Sequence, residues 1–201
     1  MFMFSGDLES AFAIDYQPLQ SVLSAQQWRE ADRLTTRLLI NVLNLQMGLE
    51  PNQLNLSRYT AEQFQSLPCR DLNTIDRLWT HHSQGNYGLS VQHQIWLTQA
   101  DLPDVDAHLN KLGSDPVGWL GWCLDVMLDA TGYDTQARDR LQWEQFVVKV
   151  GWQRQGQMTS FDELFSCPIP RGGLPAMFPR TLETAAWLSL LQRVNHCARI
   201  N

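Results

Sequence analysis

From Tyr16 onward, apolar residues recur at alternating steps of three and four. Trp28, Ala31, Thr35, Leu38, Val42 and Leu45 make one stripe, the spacing of a long helix with one face in a core. Ser24-Ala25-Gln26-Gln27 ahead of it has the form of a capping box. Gly48 to Ser57, with Pro51, reads as a connecting loop. Thr60-Ala61-Glu62-Gln63 then opens a short helix that ends before Pro68. Beyond Pro68, Asp71 is placed to cap the next helix, and Leu72, Ile75 and Trp79 form its buried stripe. Gly85 stops that helix. Tyr87-Gly88-Leu89 makes a tight connection in which the glycine lets the backbone bend, and a helix follows from Leu89 to Leu97.

Strand signals are weak by comparison. Phe146-Val147-Val148-Lys149-Val150 has strand character but stands too isolated to build a sheet. Near the end, Trp187, Leu190, Leu191, Val194 and Ala198 fall on one helical face. The pattern therefore predicts an all-α fold: a single helical domain with long loops. Residues 1–15 read as a loosely held arm, because Asp7, Glu9 and Asp15 interrupt any apolar period, and residues 16–201 form the domain. Between Trp96 and Val150 lie 53 residues, among which Val117, Trp119, Leu120, Trp122, Cys123, Leu124, Val126, Met127 and Leu128 are apolar nearly all round a helix. Such a helix needs cover on several sides, from the domain's own core, as a lid over a cavity, or from a partner.

Composition narrows the chemistry. A chain of 201 residues suits one domain with a substantial core. Its net charge is −6 and its basic residues are scattered, which disfavours a nucleic-acid partner. Cys69, Cys123, Cys167 and Cys197 form no Cys-x-x-Cys pair, so neither zinc nor a redox motif is expected, and reduced, mostly buried thiols are. Met1-Phe2-Met3-Phe4 runs straight into Ser5-Gly6-Asp7 without the features of a signal peptide, so the expectation is a soluble, cytoplasmic protein. His81 and His82 point to different sides of a helix and do not readily share a metal. No nucleophile elbow, phosphate loop or His-Glu-x-x-His is present, so no enzyme activity is expected.

The run Pro68-Cys69-Arg70-Asp71-Leu72-Asn73-Thr74-Ile75-Asp76-Arg77-Leu78-Trp79, followed by Ser83-Gln84-Gly85-Asn86-Tyr87-Gly88-Leu89-Ser90-Val91-Gln92, resembles the Genomes-Uncoupled-Four family, the tetrapyrrole-binding regulators of magnesium chelatase. Trp28 to Thr35, Val150-Gly151-Trp152 and Gly173-Leu174-Pro175 fit the family in the right order, so the likeness spans about Tyr16 to Pro179. The family's connection between Trp96 and Val150 is much shorter, which marks an insertion at about residues 98–145.

The resemblance implies a cupped, apolar ligand surface made by two long loops over a helical base. A porphyrin is a flat apolar disc with two ionised propionates at one edge. It needs aliphatic and aromatic walls, whose burial is worth about 25 cal/mol per Å², and cations at the rim. By resemblance Trp152 packs on the macrocycle, and Tyr87, Leu89 and Val91 line the cavity. The family often has an arginine directly after Val-Gly-Trp, where this chain has Gln153 and then Arg154. Arg171, or Arg180, then supplies the rim charge. Leu174, Pro175, Met177 and Phe178 make the second loop apolar. The implied function is non-catalytic binding of protoporphyrin IX or its magnesium form, stimulating magnesium chelatase in chlorophyll biosynthesis. The implied partner is the large porphyrin-binding chelatase subunit, in a cyanobacterial-type setting compatible with peripheral association with the thylakoid membrane. The alternatives are a helical protein-interaction module, with the insertion as its docking surface, and a haem- or bilin-binding paralogue.

Overall fold

The structure, a computed structural model, describes residues 8–50, 59–99, 135–176, 180, 182 and 184–200. The regular elements of the described residues are all helices, apart from one two-stranded hairpin. α1 (Gln17–Ser24) carries Pro18 in its first turn, where a missing N–H costs nothing, and buries Leu19 and Leu23 against α2 and α4. α2 (Trp28–Gln46) is the predicted long helix, but its buried set is wider than one stripe. It also includes Asp32, Thr36, Leu39, Ile40, Leu43 and Asn44, so α2 is buried on more than one side.

Residues 61–65 form α3 (Ala61–Gln65), and Gln63 Oε1 returns to the Thr60 N–H at 2.8 Å, the reciprocal half of a capping box. α4 (Cys69–His82) buries the expected Leu72, Ile75 and Trp79. The Trp79 indole N–H reaches Thr35 Oγ1 on α2 at 2.9 Å. α5 (Leu89–Gln99) and α6 (Thr135–Lys149) pack against each other. The hairpin β1 (Gln153–Arg154) and β2 (Gln157–Met158) is antiparallel, with Gln153 opposite Met158. Then come α7 (Phe161–Leu164) and α8 (Thr184–Arg199). The last helix lies against α3, α4, α5 and α6, so the C-terminus closes the core.

Several local expectations change. Ser24 does not cap α2; its hydroxyl donates back to the Ser21 carbonyl at 2.8 Å, which finishes α1. Asp71 lies inside α4, whose N-cap is Pro68. Its buried carboxylate accepts instead from Ser10 Oγ (2.6 Å), the Ala11 N–H (3.0 Å) and Tyr16 Oη (2.8 Å). That carboxylate fastens the described part of the N-terminal arm to the core. Phe146 to Lys149 are helical, the end of α6, because Trp143, Phe146, Val147 and Val150 repeat at helical spacing and bury one side. On α8 the buried stripe passes through Cys197 rather than Ala198.

The cysteine expectation fails outright for two residues. Cys69, the first residue of α4, and Cys197, in the last turn of α8, form a disulfide. Elements distant in sequence meet there, which spacing along the chain cannot show. Cys167 is free and exposed. Cys123 and the apolar run from Val117 to Leu128 lie outside the described residues. No described helix is long and apolar enough to cross a membrane.

Candidate functional site

The sequence singled out two loops. One leaves the end of α4 (83–88) and the other precedes α8 (169–176). In the first, Ser83 Oγ accepts the Tyr87 N–H at 2.8 Å, and the Asn86 side-chain amide donates to the Ser83 carbonyl at 2.9 Å. Gly88 sits at φ +138°, and a Cβ there would meet Thr80 Cγ2 at 2.8 Å and Asp76 Oδ1 at 2.9 Å. Only glycine satisfies both demands. Asp76 lies beneath this turn and accepts the Ser90 N–H at 2.9 Å at the start of α5. Burial pushes its carboxyl above the usual range, opposed by the Ser90 hydroxyl and by the Ser90 and Leu89 amides.

The second loop is fixed from four directions. Trp152 Nε1 donates to the Gly173 carbonyl at 2.8 Å. The Gly88 N–H donates to the Leu174 carbonyl at 3.0 Å. Gln92 Nε2 donates to the Pro175 carbonyl at 2.8 Å. The Ala176 N–H donates to Asp32 Oδ2 on α2 at 2.7 Å. The Gly172 N–H adds a bond to the Asn86 carbonyl at 2.8 Å, so two main-chain bonds join the loops. Tyr87 Oη reaches the Ile169 carbonyl at 3.2 Å. A Cβ on Gly172 would strike Ile95 at 2.4 Å, which shows how closely this loop lies on α5. Groups held by so many partners are preorganised rather than adaptable.

Behind the loops is an aromatic cluster. Phe146 lies 4.6 Å from Trp187 and 5.4 Å from Trp152, centroid to centroid. Trp143 lies 5.0 Å from Trp187 and 6.2 Å from Trp152, and Trp96 lies 5.0 Å from Trp187. Many of these pairs are edge-on, as ring quadrupoles favour. A second group stacks Trp28 on Trp79 at 6.1 Å, with Tyr87 edge-on to Trp28 at 5.4 Å.

Of the residues expected in the site, Trp152, Leu89 and Leu174 are fully buried, Val91 and Pro175 are buried, and Tyr87 and Arg154 are half-buried. Arg171 is exposed, with its guanidinium on the Gly85 carbonyl (3.4 Å) and Gln94 Oε1 (3.1 Å). Met177 and Phe178 lie outside the described residues. The structure thus joins both loops and puts Trp152 underneath them as a post.

Arg180, beyond the second loop in sequence, is also half-buried. One terminal nitrogen donates to the Thr159 carbonyl, while its buried Nε–H has no hydrogen-bond partner among the described residues. Burial lowers its pKa from the ordinary guanidinium range, and the facing Asp32 carboxylate opposes that. Asp32 and Gln92 were overlooked as site residues although both lie within quoted motifs. The available signal was a polar side chain on the buried side of an amphipathic helix. His81 and His82 close α4 with rings 4.9 Å apart, and the described residues contain no group of three His, Cys, Asp or Glu able to hold a metal.

Comparison with known proteins agrees with the helical fold. A profile described as GUN4-like matches residues 9–193. A Ycf53-like protein of Synechocystis sp. is 39% identical over 90 residues, 45% of this chain and 36% of its own length. The chloroplastic tetrapyrrole-binding protein of Arabidopsis thaliana is 34% identical over 82 residues, 41% of this chain and 29% of its own length. This chain therefore spans much less than two thirds of either relative. The ligand-free structure of Arabidopsis thaliana GUN4 superposes with a TM-score of 0.52 at 24% identity, covering 89% of this chain and 95% of that one, a likeness of fold. With the family profile covering nearly all of it, the chain belongs to the GUN4-like family.

Proposed function

We propose that this protein binds a tetrapyrrole without transforming it. The observation that carries the reading is the joining of the two family loops, 83–88 and 169–176, by direct main-chain bonds over a tryptophan cluster. The name of the Arabidopsis relative supports the ligand class. Leu89, Val91, Trp152, Leu174 and Pro175 give the site its apolar frame, and Tyr87 its half-exposed aromatic edge. The sequence adds two more apolar residues, Met177 and Phe178, directly after the second loop. Among the cations, Arg180 is the best suited to a propionate because its buried Nε–H has no acceptor among the described residues. Arg154 and Arg171 are the outer candidates. The ligand is protoporphyrin IX or its magnesium form, and the protein presents it to the large porphyrin-binding subunit of magnesium chelatase for chlorophyll synthesis, in a soluble setting open to peripheral membrane contact.

Titrating the protein with protoporphyrin IX and magnesium protoporphyrin IX, and following tryptophan fluorescence, tests this. Saturable quenching at micromolar pigment is expected, weakened at least tenfold by Arg180→Gln. Absence of saturable quenching with either pigment sinks the reading. It would favour the interaction-module alternative, for which the exposed Leu97 (54%) and Val148 (58%) on α5 and α6 offer apolar surface.

A further inference from the structure

Cys69 opens α4, and α4 ends at the first loop; Cys197 closes α8, and α8 begins after the second loop. At 1.5 Å per residue, each helix carries the bond about 20 Å from its loop. The 128-residue separation between the two cysteines encloses both loops, the hairpin and the whole tryptophan cluster. Neighbouring contacts brace the same junction: Arg193 Nε donates to the Leu67 carbonyl at 2.7 Å, and the Asn73 amide donates to the Cys197 carbonyl at 3.4 Å.

We propose that the Cys69–Cys197 bond is a latch, opened by dithiol reductants, that keeps α4 and α8 aligned and so holds the two site loops in register. Cys197 is fully buried, whereas Cys69 is only partly covered, so the incoming thiolate attacks Cys69 Sγ. Cys197 leaves as a thiolate and takes a proton. The reductant's second thiolate then attacks its own sulfur in the mixed disulfide, and Cys69 is released. The dithiol departs as a disulfide, having supplied two electrons. Cys69 is a good leaving group because the N-terminal amides of α4 stabilise its thiolate. Opening removes the constraint that a long closed loop places on the unfolded chain and leaves the far ends of both loop-bearing helices to non-covalent contacts such as the Arg193–Leu67 and Asn73–Cys197 hydrogen bonds.

Alkylation of the denatured, unreduced protein is expected to modify two cysteines, and all four after dithiothreitol. Reduction should lower Tm by on the order of 10 °C and speed hydrogen exchange at the Gly88 and Gly172 amides at least tenfold. Cys69→Ser and Cys197→Ser should match the reduced protein, and Cys167→Ser the oxidised one. Should the serine variants fail to fold, reversible reduction of the native chain reads the same states. Four alkylated cysteines after treatment with a thiol oxidant, or loop exchange indifferent to reduction, overturns the latch. Its consequence for pigment rests on the function proposed above: the Kd for protoporphyrin IX should rise several-fold on reduction. An equal Kd in both states overturns the latch as a control on the site. Absence of quenching in both states sinks the pigment reading alone, since thiol counts and exchange still decide the latch.

Discussion

Replacing Trp152 with phenylalanine keeps a ring among Phe146, Trp143 and the loop but leaves the buried Gly173 carbonyl without its indole donor. A stranded buried acceptor costs about 1–3 kcal/mol, and the denaturant midpoint of Trp152→Phe should fall accordingly. Trp152→Ala also opens a large cavity, at about 3–5 kcal/mol, so the phenylalanine variant is the cleaner probe of the site. Asp32 makes the complementary case. Asp32→Asn keeps an oxygen for the Ala176 N–H but removes the charge facing Arg180, and Asp32→Ala removes both. Alanine should be the worse by about 1 kcal/mol or more; equal midpoints would mean that the carboxylate does not hold the loop. At Gly88, alanine must take φ +138° and displace Thr80 Cγ2, a strain of about 1–3 kcal/mol. Adding Thr80→Ser, which deletes that methyl, should recover part of the loss.

The helices were legible because apolar spacing is local information. Leu72, Ile75 and Trp79 announce α4, and Trp187, Leu190 and Val194 announce α8, whatever packs against them. Their polar insiders were not. Asp71 looks like an N-cap until Ser10 and Tyr16 arrive from about 55–60 positions away, and Asp32 looks like a surface charge until Ala176 arrives from 144 positions away. The disulfide was hidden for the same reason. Phe146-Val147-Val148 misled because a short apolar run carries no period of its own; α6 shows only in the wider window. Element packing also sets a pH dependence. His93 on α5 is held below the ordinary 6.5, first by burial and then by Arg199 of α8. His82 at the end of α4 is held below it by burial and by His81. Below 6.5 the unfolded chain therefore binds more protons than the native one, so stability rises with pH through this window and is lost as pH falls. Denaturant midpoints should decline from pH 7 toward pH 5, and His93→Gln should flatten the slope. An unchanged slope would show that His93 titrates alike in both states.

At the scale of the whole molecule, charge and ligand work against each other. The chain carries −6 overall, and the proposed porphyrin would bring two propionates, so its approach from a distance would be opposed while local contact would depend on cations beside the loops. The two effects respond differently to salt. The Debye length shrinks from about 30 Å at 0.01 M to about 10 Å at 0.1 M, which screens the repulsion between a distant pigment and the whole surface. A half-buried partner such as Arg180 is screened far less once the propionate has reached it. Added salt should therefore raise the association rate measured by stopped-flow tryptophan quenching, by less than about tenfold, and leave the dissociation rate nearly unchanged. Arg180→Gln should do the reverse, speeding dissociation at every salt concentration with little effect on association. If salt instead slows association steeply, cations must guide the pigment from afar. The exposed Arg171 and its neighbours, rather than Arg180, would then be the groups that the propionates meet first.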